Sequence, residues 1–156
     1  MQLVASINSN SKNIILWVAG NGRLKKFRNL ADSLGIVENI KFLGAVENIA
    51  AYYQTADFMV LPTKYDPFSN SCLEAMSCGC AVLTTTSNGA SELLSKECLF
   101  RETDQEDKER IRLILVGRKI PSQEFESNPN FKKLTIEYEL SNFLRLLKFV
   151  VQDELN

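Results

Sequence analysis

The 156-residue sequence contains no histidine, only four prolines and only four cysteines. Without histidine, the chain has no imidazole for general base catalysis, for a serine-type triad or for zinc binding. Cys78 and Cys80 flank a single glycine, so they lack the two-residue spacing of zinc ribbons and of thioredoxin-type redox sites. We therefore predict that these two cysteines, with Cys72 and Cys98, are small, mostly buried, reduced thiols.

Long apolar runs and an excess of one charge are also absent. No apolar run approaches the roughly 20 residues of a membrane span, and the first residues lack the basic and apolar regions of a signal peptide. The formal net charge is -1, which argues against a protein that binds nucleic acid through its phosphates. We predict a cytoplasmic protein with no nucleic-acid partner.

Short apolar segments alternate with helical patterns over the first two thirds of the chain. Continuous apolar strands separated by helices are typical of a parallel sheet that is covered on both faces. We therefore predict a single doubly wound, Rossmann-like α/β domain with a mostly parallel sheet of about five strands. The predicted strands are 14–19, 40–43, 58–61, 81–84 and 98–100, and the predicted helices are 23–34, 49–54, 71–77 and 90–94.

The C-terminal third has a different pattern. Residues 103–106, with the sequence Thr-Asp-Gln-Glu, form a predicted capping box that begins a helix ending near Val116. We predict an α/β domain over residues 1–116 and a connecting segment over 117–135. Apolar residues at helical spacing then predict an amphipathic helix over 136–156.

Polar turns follow several of the predicted strands. Gly20-Asn21-Gly22 follows the first, residues 66–74 follow the third, and residues 87–92 follow the fourth. The carboxyl ends of parallel strands meet at one edge of a sheet, where ligands bind, and both a glycine turn and a helix N-terminus suit a phosphate. The pattern favours a nucleotide diphosphate linked to a sugar.

Each of these features also has a purely structural interpretation. The glycine turn can be a tight connection without a ligand, Asp66 can be a turn residue before Pro67, and Ser71 to Glu74 fits a capping box. A dinucleotide fingerprint is incomplete, because Lys25 stands where a third glycine is required and the next strand ends without an acidic residue. A dehydrogenase is therefore not predicted.

Four separated motifs, in this order, resemble a known family. They are residues 18–22 (VAGNG), residues 40–44 (IKFLG), residues 56–63 (ADFMVLPT) and residues 66–82 (DPFSNSCLEAMSCGCAV). Over residues 14–94 the chain resembles the C-terminal, donor-binding half of family-four retaining glycosyltransferases of the GT-B fold. Within that family it is similar to glucosyltransferases of lipopolysaccharide core and surface-polysaccharide assembly.

The resemblance implies a role for each matching residue. Glu74 matches the second glutamate of the family's Glu-x7-Glu motif, which binds ribose hydroxyls. Asp66 matches the first, which contacts the donor sugar and is the implied catalytic residue, although it is one methylene shorter. Pro67 to Asn70 replaces the family's usual Gly-Phe-Gly. The implied donor-binding set is Gly20, Asn21, Gly22, Val46, Asp66, Phe68, Ser69, Asn70, Ser71 and Glu74.

The resemblance also implies an activity and partners for a complete enzyme. The enzyme would transfer a hexose from a nucleoside-diphosphate sugar, UDP-sugar favoured, to a lipopolysaccharide or another glycan or glycolipid acceptor at the inner membrane face. It would use no resident cofactor and no obligatory metal. An N-terminal acceptor-binding domain, a strand and a loop with an arginine and a lysine would precede this chain, and residues 1–13 resemble the tail of the following helix. We therefore expect the isolated chain to be inactive.

Two other classes of function stay open at the level of sequence. One is a non-catalytic nucleotide-binding or interaction module, because half of any active site would lie outside this chain. The other is a sugar-nucleotide epimerase of similar fold, which would form product from the nucleotide sugar without an acceptor.

Overall fold

The computed structural model describes residues 1–9, 14–22, 24–101 and 103–117. The helices and strands in this part, in chain order, are α1 Gln2–Asn8, β1 Leu16–Ala19, α2 Leu24–Ser33, β2 Ile40–Gly44, α3 Ile49–Thr55, β3 Phe58–Leu61, α4 Asn70–Ser77, β4 Ala81–Thr85, β5 Leu99–Phe100 and α5 Gln105–Gly117. Short 3-10 turns lie at Val37–Asn39, Gly89–Leu93 and Lys96–Cys98. Beyond Gly117, the predicted connecting segment 117–135 and the predicted helix 136–156 lie outside the described residues.

Every strand pair in the described part is parallel, which confirms the predicted α/β class. β1 pairs with β2, with Leu16 opposite Ile40. β4 lies between β3 and β5, with Phe58 opposite Ala81 in the first pair. The five strands therefore form two hydrogen-bonded sheets, of two and three strands.

The core is deepest around β4. All five residues of β4 are buried, whereas no residue of β1 or of β3 is fully buried. A strand with neighbours on both sides and helices on both faces loses its solvent contact on all sides. α4 packs against β4 through an apolar cluster made of Cys72, Ala75, Met76, Cys80, Val82, Ala90 and Leu93.

The Cys78-Gly79-Cys80 segment ends α4. Gly79 has φ of +77°, a conformation that other residues adopt at a cost. Its N–H donates to the carbonyl of Met76 at 3.0 Å, and the N–H of Cys80 donates to the carbonyl of Ala75 at 2.9 Å. This pair of bonds is the Schellman motif that closes many helices. The single glycine between the two cysteines is therefore explained by the end of the helix.

The predicted start of one helix and the predicted type of another were wrong. Asp104, rather than Thr103, caps α5, because its Oδ1 accepts from the N–H groups of Glu106 and Asp107 at 2.9 and 3.1 Å. The predicted helix at 90–94 is a 3-10 turn over Gly89–Leu93, capped by the side chain of Asn88. No helix in the described part is long and apolar enough to cross a membrane.

Candidate functional site

The loop between β3 and α4 pairs with the segment that follows β4. The N–H of Asp66 donates to the carbonyl of Ser87 at 3.3 Å, and the N–H of Gly89 donates to the carbonyl of Asp66 at 2.9 Å. These bonds form an isolated parallel bridge between Asp66 and Asn88. Two of the three predicted polar turns, at residues 66–74 and 87–92, therefore meet at the carboxyl ends of neighbouring strands.

The carboxylate of Asp66 has a structural partner. Its Oδ1 accepts from the N–H of Phe68 at 3.1 Å, which closes a turn around Pro67. The sequence allowed Asp66 to be a turn residue, a ligand-binding residue or both, and the structure shows the turn. In the part of the chain that the structure describes, Oδ2 has no hydrogen bond, and Asp66 is half-buried. Asp66 can therefore hold its own loop and still offer one oxygen to a ligand.

Gly89 allows the two loops to come this close. A Cβ atom placed on Gly89 would lie 1.8 Å from the carbonyl oxygen of Pro67 and 2.7 Å from its carbonyl carbon. Both are backbone atoms, so a side chain could not be accommodated by rotating a neighbouring side chain. The position of Asp66 consequently depends on the absence of a side chain at Gly89.

A buried polar network around Asn88 holds the ends of β3 and β4 and the start of α4 together. The side chain of Asn88, 1% exposed, donates to Thr84 Oγ1 at 3.0 Å and to the Cys72 sulfur at 3.5 Å. Its Oδ1 accepts from the N–H of Ala90 at 3.0 Å. Thr84 Oγ1 in turn donates to the carbonyl of Leu61 at 2.8 Å. Asn88 thus joins the ends of β3 and β4 to the first turn of α4.

α4 begins at Asn70, with the buried Ser69 as its N-cap, and the side chain of Ser69 makes no capping hydrogen bond. The capping-box interpretation of Ser71 to Glu74 is not observed, because Ser71 lies inside the first turn rather than at the cap. The first backbone N–H groups of a helix have no partner within the helix, and they lie at the positive end of its dipole. The N–H groups of Ser69, Asn70 and Ser71 could therefore face an anion.

Glu74 lies one turn further along α4 and is exposed. Within the described residues, its carboxylate has no hydrogen bond or ion pair. Burial, followed by the nearby charge of Glu74, raises the pKa of Tyr53. A carboxylate that no neighbour uses is free to accept hydrogen bonds from hydroxyl groups of a ligand.

The glycine turn lies beside the end of β2. Gly20 has φ of +125°, and its N–H donates to the carbonyl of Gly44 at 2.7 Å. Asn21 and Gly22 are exposed, and the half-buried Val46 lies in the loop that follows Gly44. The structure thus brings Gly20 to the Gly44–Val46 loop. Among the described residues, no hydrogen bond joins this group to Asp66 or to Glu74.

The four cysteines are free, and Cys72, Cys80 and Cys98 are buried, which confirms the predicted reduced thiols. Burial raises the pKa of all three, that of Cys80 to about 11. Since a thiolate is the reactive form, these cysteines are not nucleophiles at neutral pH. Among the described residues, no three cysteine, aspartate or glutamate side chains are grouped closely enough to hold a metal ion.

Asn88, Thr84 and Gly89 were not predicted as site residues. The sequence signal was the Asn-Gly pair a few residues after the buried β4, which marks a turn. That pair does not reveal which distant loop the turn contacts.

Comparisons with known proteins point to one family. The family model described as glycosyl transferases group 1 matches residues 1–108. A relative from Methanocaldococcus jannaschii, named as the uncharacterized glycosyltransferase MJ1607, is 33% identical over 88 residues, which are 54% of this chain and 23% of the relative. The chain thus spans about a quarter of the length of this curated relative.

Two solved structures have a similar fold. The crystal structure of WaaG, a glycosyltransferase involved in lipopolysaccharide biosynthesis, superposes with a TM-score of 0.69 at 22% identity, over 85% of this chain and 39% of WaaG. The structure of Anabaena Alr3699/HepE in complex with UDP-glucose gives a TM-score of 0.62 at 20% identity, over 77% of this chain and 36% of HepE. The described domain has the architecture of one half of a GT-B fold, and the chain belongs to the family of glycosyl transferases group 1.

Proposed function

We propose that this chain is the nucleotide-sugar-binding half of a retaining glycosyltransferase. One observation carries the proposal. The Asp66 loop pairs with Gly89 directly before α4, whose first N–H groups have no partner within the helix and whose Glu74 carboxylate has no partner among the described residues. An anion at the helix start and hydroxyl groups at the two carboxylates are the two chemical features of a nucleoside-diphosphate sugar.

The donor would lie along the first turn of α4. The N–H groups of Ser69, Asn70 and Ser71 would face the diphosphate, Glu74 would accept from the ribose hydroxyls, and Asp66 Oδ2 would accept from the sugar. Gly20, Asn21 and Gly22 would approach the phosphates, and Val46 and Phe68 would contact the remainder of the donor. That HepE binds UDP-glucose supports a UDP-hexose as the donor.

Catalysis in a complete enzyme would be mainly electrostatic. As the bond to the sugar lengthens, negative charge accumulates on the leaving diphosphate, and oriented N–H groups stabilise that charge. The acceptor hydroxyl would come from a second domain across a cleft that closes on binding. We propose a lipopolysaccharide or other surface-glycan acceptor, by analogy with WaaG, at the cytoplasmic face of the membrane, and a transfer that needs no metal.

Calorimetric titration with UDP tests the donor site. Glu74→Ala should weaken UDP binding on the order of tenfold or more, because a hydrogen bond to a charged group is worth about 1.5–3 kcal/mol. Its melting temperature should stay close to that of the unmodified chain, since the Glu74 carboxylate has no partner in the described residues. Glu38→Ala, which removes an exposed carboxylate in the 3-10 turn before β2, is the matched control and should change neither quantity.

Two outcomes would reject this assignment. The first is UDP affinity that is equal in Glu74→Ala and in the unmodified chain. The second is a large loss of stability in Glu74→Ala without ligand, which would make Glu74 a structural residue of α4.

A further inference from the structure

Tyr65, directly before Asp66, is the most exposed large apolar side chain among the described residues, at 77%. Phe68, on the other side of Asp66 in the chain, is 40% exposed. Covering an aromatic ring removes a large apolar area from water, so an open ring beside a candidate site is available to a ligand. The proposed donor site as described above makes no use of Tyr65.

The backbone on both sides of this ring is held in place. Thr63 Oγ1 donates to the carbonyl of Tyr65 at 3.1 Å, and the carbonyl of Thr63 accepts from Thr85 Oγ1 at 2.6 Å. On the other side, the N–H of Asp66 donates to the carbonyl of Ser87 at 3.3 Å. Thr85 belongs to the buried strand β4, so the loop is tied to the core. A ligand that packs on the ring therefore needs to order only the side chain of Tyr65.

A pyranose sugar presents two kinds of surface. Its hydroxyl groups lie around the edge of the ring and donate to carboxylates, whereas its C–H groups form an apolar face that packs on aromatic rings. Consecutive Cα atoms are about 3.8 Å apart, so a sugar whose hydroxyls reach Asp66 lies within the span of the Tyr65 side chain. An open carboxylate oxygen and an open aromatic ring on adjacent residues therefore suit a sugar better than a phosphate.

We propose that Tyr65 packs on the apolar face of the donor hexose and thereby favours the nucleotide sugar over the free nucleoside diphosphate. This inference rests on the proposed donor site and adds a sugar contact to it. A hexose that packs on Tyr65 gains binding free energy, and UDP, which is left after transfer, does not. Tyr65 thus helps the site to retain its substrate and to release its product.

An exposed apolar side chain is common on protein surfaces and needs no ligand to explain it. Leu113 of α5 is such a side chain, 56% exposed and outside the candidate site. Tyr65 differs from Leu113 because it adjoins Asp66 and because its backbone is tied to β4 through Thr63. Leu113 therefore provides a matched control for the loss of an exposed apolar side chain.

Calorimetric titration of the chain with UDP and with UDP-glucose tests the contact. In Tyr65→Ala, the ratio of the two affinities should shift against UDP-glucose on the order of fivefold, because one face of the sugar returns to water. The affinity for UDP should be unchanged. Tyr65→Phe keeps the ring and should keep the ratio, and Leu113→Ala should change neither affinity. Since both side chains are mostly exposed, all three variants should keep the melting temperature of the unmodified chain.

Three results would overturn the proposal, and a fourth would reject the donor site with it. Tyr65→Ala could keep the ratio of the unmodified chain. It could lose affinity for UDP and for UDP-glucose equally, which would place Tyr65 at the nucleotide and leave the donor site standing. Tyr65→Phe could shift the ratio as much as Tyr65→Ala, which would assign the effect to the hydroxyl instead of the ring. Failure of the unmodified chain to bind UDP would reject the donor site and the sugar contact together.

Discussion

At the scale of single residues, the two carboxylates of the candidate site differ in what holds them. Asp66 uses one oxygen to close its own turn through Phe68, whereas Glu74 is exposed on α4 without a partner in the described residues. Substitutions at the two positions should therefore have different consequences. A change at Asp66 should affect both its loop and the proposed donor, whereas a change at Glu74 should affect the proposed donor alone.

Asp66→Asn separates these two roles in a full-length enzyme. The asparagine oxygen can still accept from the N–H of Phe68, so the turn should persist. If Asp66 accepts from the donor sugar, turnover of the nucleotide sugar should fall on the order of tenfold or more, while affinity for free UDP changes little. Asp66→Glu should restore the longer reach of the family's glutamate and change the relative rates with different hexoses.

The affinities of Asp66→Asn for UDP and for UDP-glucose show which part of the donor Asp66 contacts. Equal losses of affinity for UDP and for UDP-glucose in Asp66→Asn would place Asp66 at the phosphate or ribose instead of the sugar. Asp66→Ala serves as a reference, since it also removes the turn and should lower the melting temperature.

Gly89→Ala should displace the Asp66 loop. The added methyl group would overlap the carbonyl of Pro67, and overpacking of this kind costs about 1–3 kcal/mol. We expect a lower free energy of unfolding in urea together with weaker UDP binding. Gly22→Ala is the matched control for stability, because a Cβ at Gly22 meets no heavy atom within 4 Å. A Gly89→Ala variant as stable as Gly22→Ala would contradict the predicted clash.

At the scale of elements, sequence patterns located the strands and helices better than their ends. The five strands follow from continuous apolar segments, and the Asp66 loop follows from its position after β3. α4 begins at Asn70, one residue before its predicted start. Its N-cap, Ser69, has an extended backbone and makes no side-chain capping bond, so the sequence carries no capping signal that marks this start. The link from Asn88 to Thr84 and Cys72 joins three segments, and no local pattern encodes it.

The start of α5 contains an ionic cluster that predicts a pH effect. Asp107 is buried, and its Oδ2 accepts from both the N–H and Nε of Arg101, at 2.9 and 3.0 Å. Its Oδ1 forms an ion pair with Arg110 at 2.8 Å. The side-chain hydrogen bond from Arg101 is the largest cause that lowers the pKa of Asp107 below its ordinary value of 3.8.

Because the pKa of Asp107 is lower in the folded state, its stabilising effect is present at neutral pH and is lost as the pH falls through the lowered pKa. Asp107→Asn should therefore be less stable than the unmodified chain at pH 7, and the difference should shrink below about pH 4. Urea unfolding at several pH values measures it. Glu109→Gln breaks an exposed pair with Arg112 and should have a smaller effect. A stability difference for Asp107→Asn that does not change with pH would contradict the ionic explanation.

At the scale of the whole molecule, the described domain has one half of a GT-B fold. The alternation of strands and helices predicted the α/β class, but it gave no sign that the strands would pair as two sheets. Pairing depends on which strand edges meet in space, and β1 and β3 face a cleft rather than each other. The family resemblance supplied the candidate site residues, and the structure shows which residues hold the Asp66 loop in place.

Residues 1–156 alone should not transfer sugar, because the chain spans only 23% of the relative MJ1607 and 39% of WaaG, and the proposed acceptor comes from a second domain. Radiolabelled UDP-glucose, incubated with the chain and a truncated lipopolysaccharide acceptor, should yield no labelled glycan. Labelled glycan would contradict the need for a second domain. Epimerised nucleotide sugar in the absence of acceptor would instead support an epimerase.

Nuclear magnetic resonance of the ¹⁵N-labelled chain during titration with UDP tests the donor site most directly. The proposed site predicts that the largest amide shift changes occur at residues 69–74, with further changes at residues 20–22 and at Val46. UDP that shifts only the amides around the cleft between β1 and β3, or that shifts none, would contradict the assignment of this domain as the nucleotide-sugar-binding half of a glycosyltransferase.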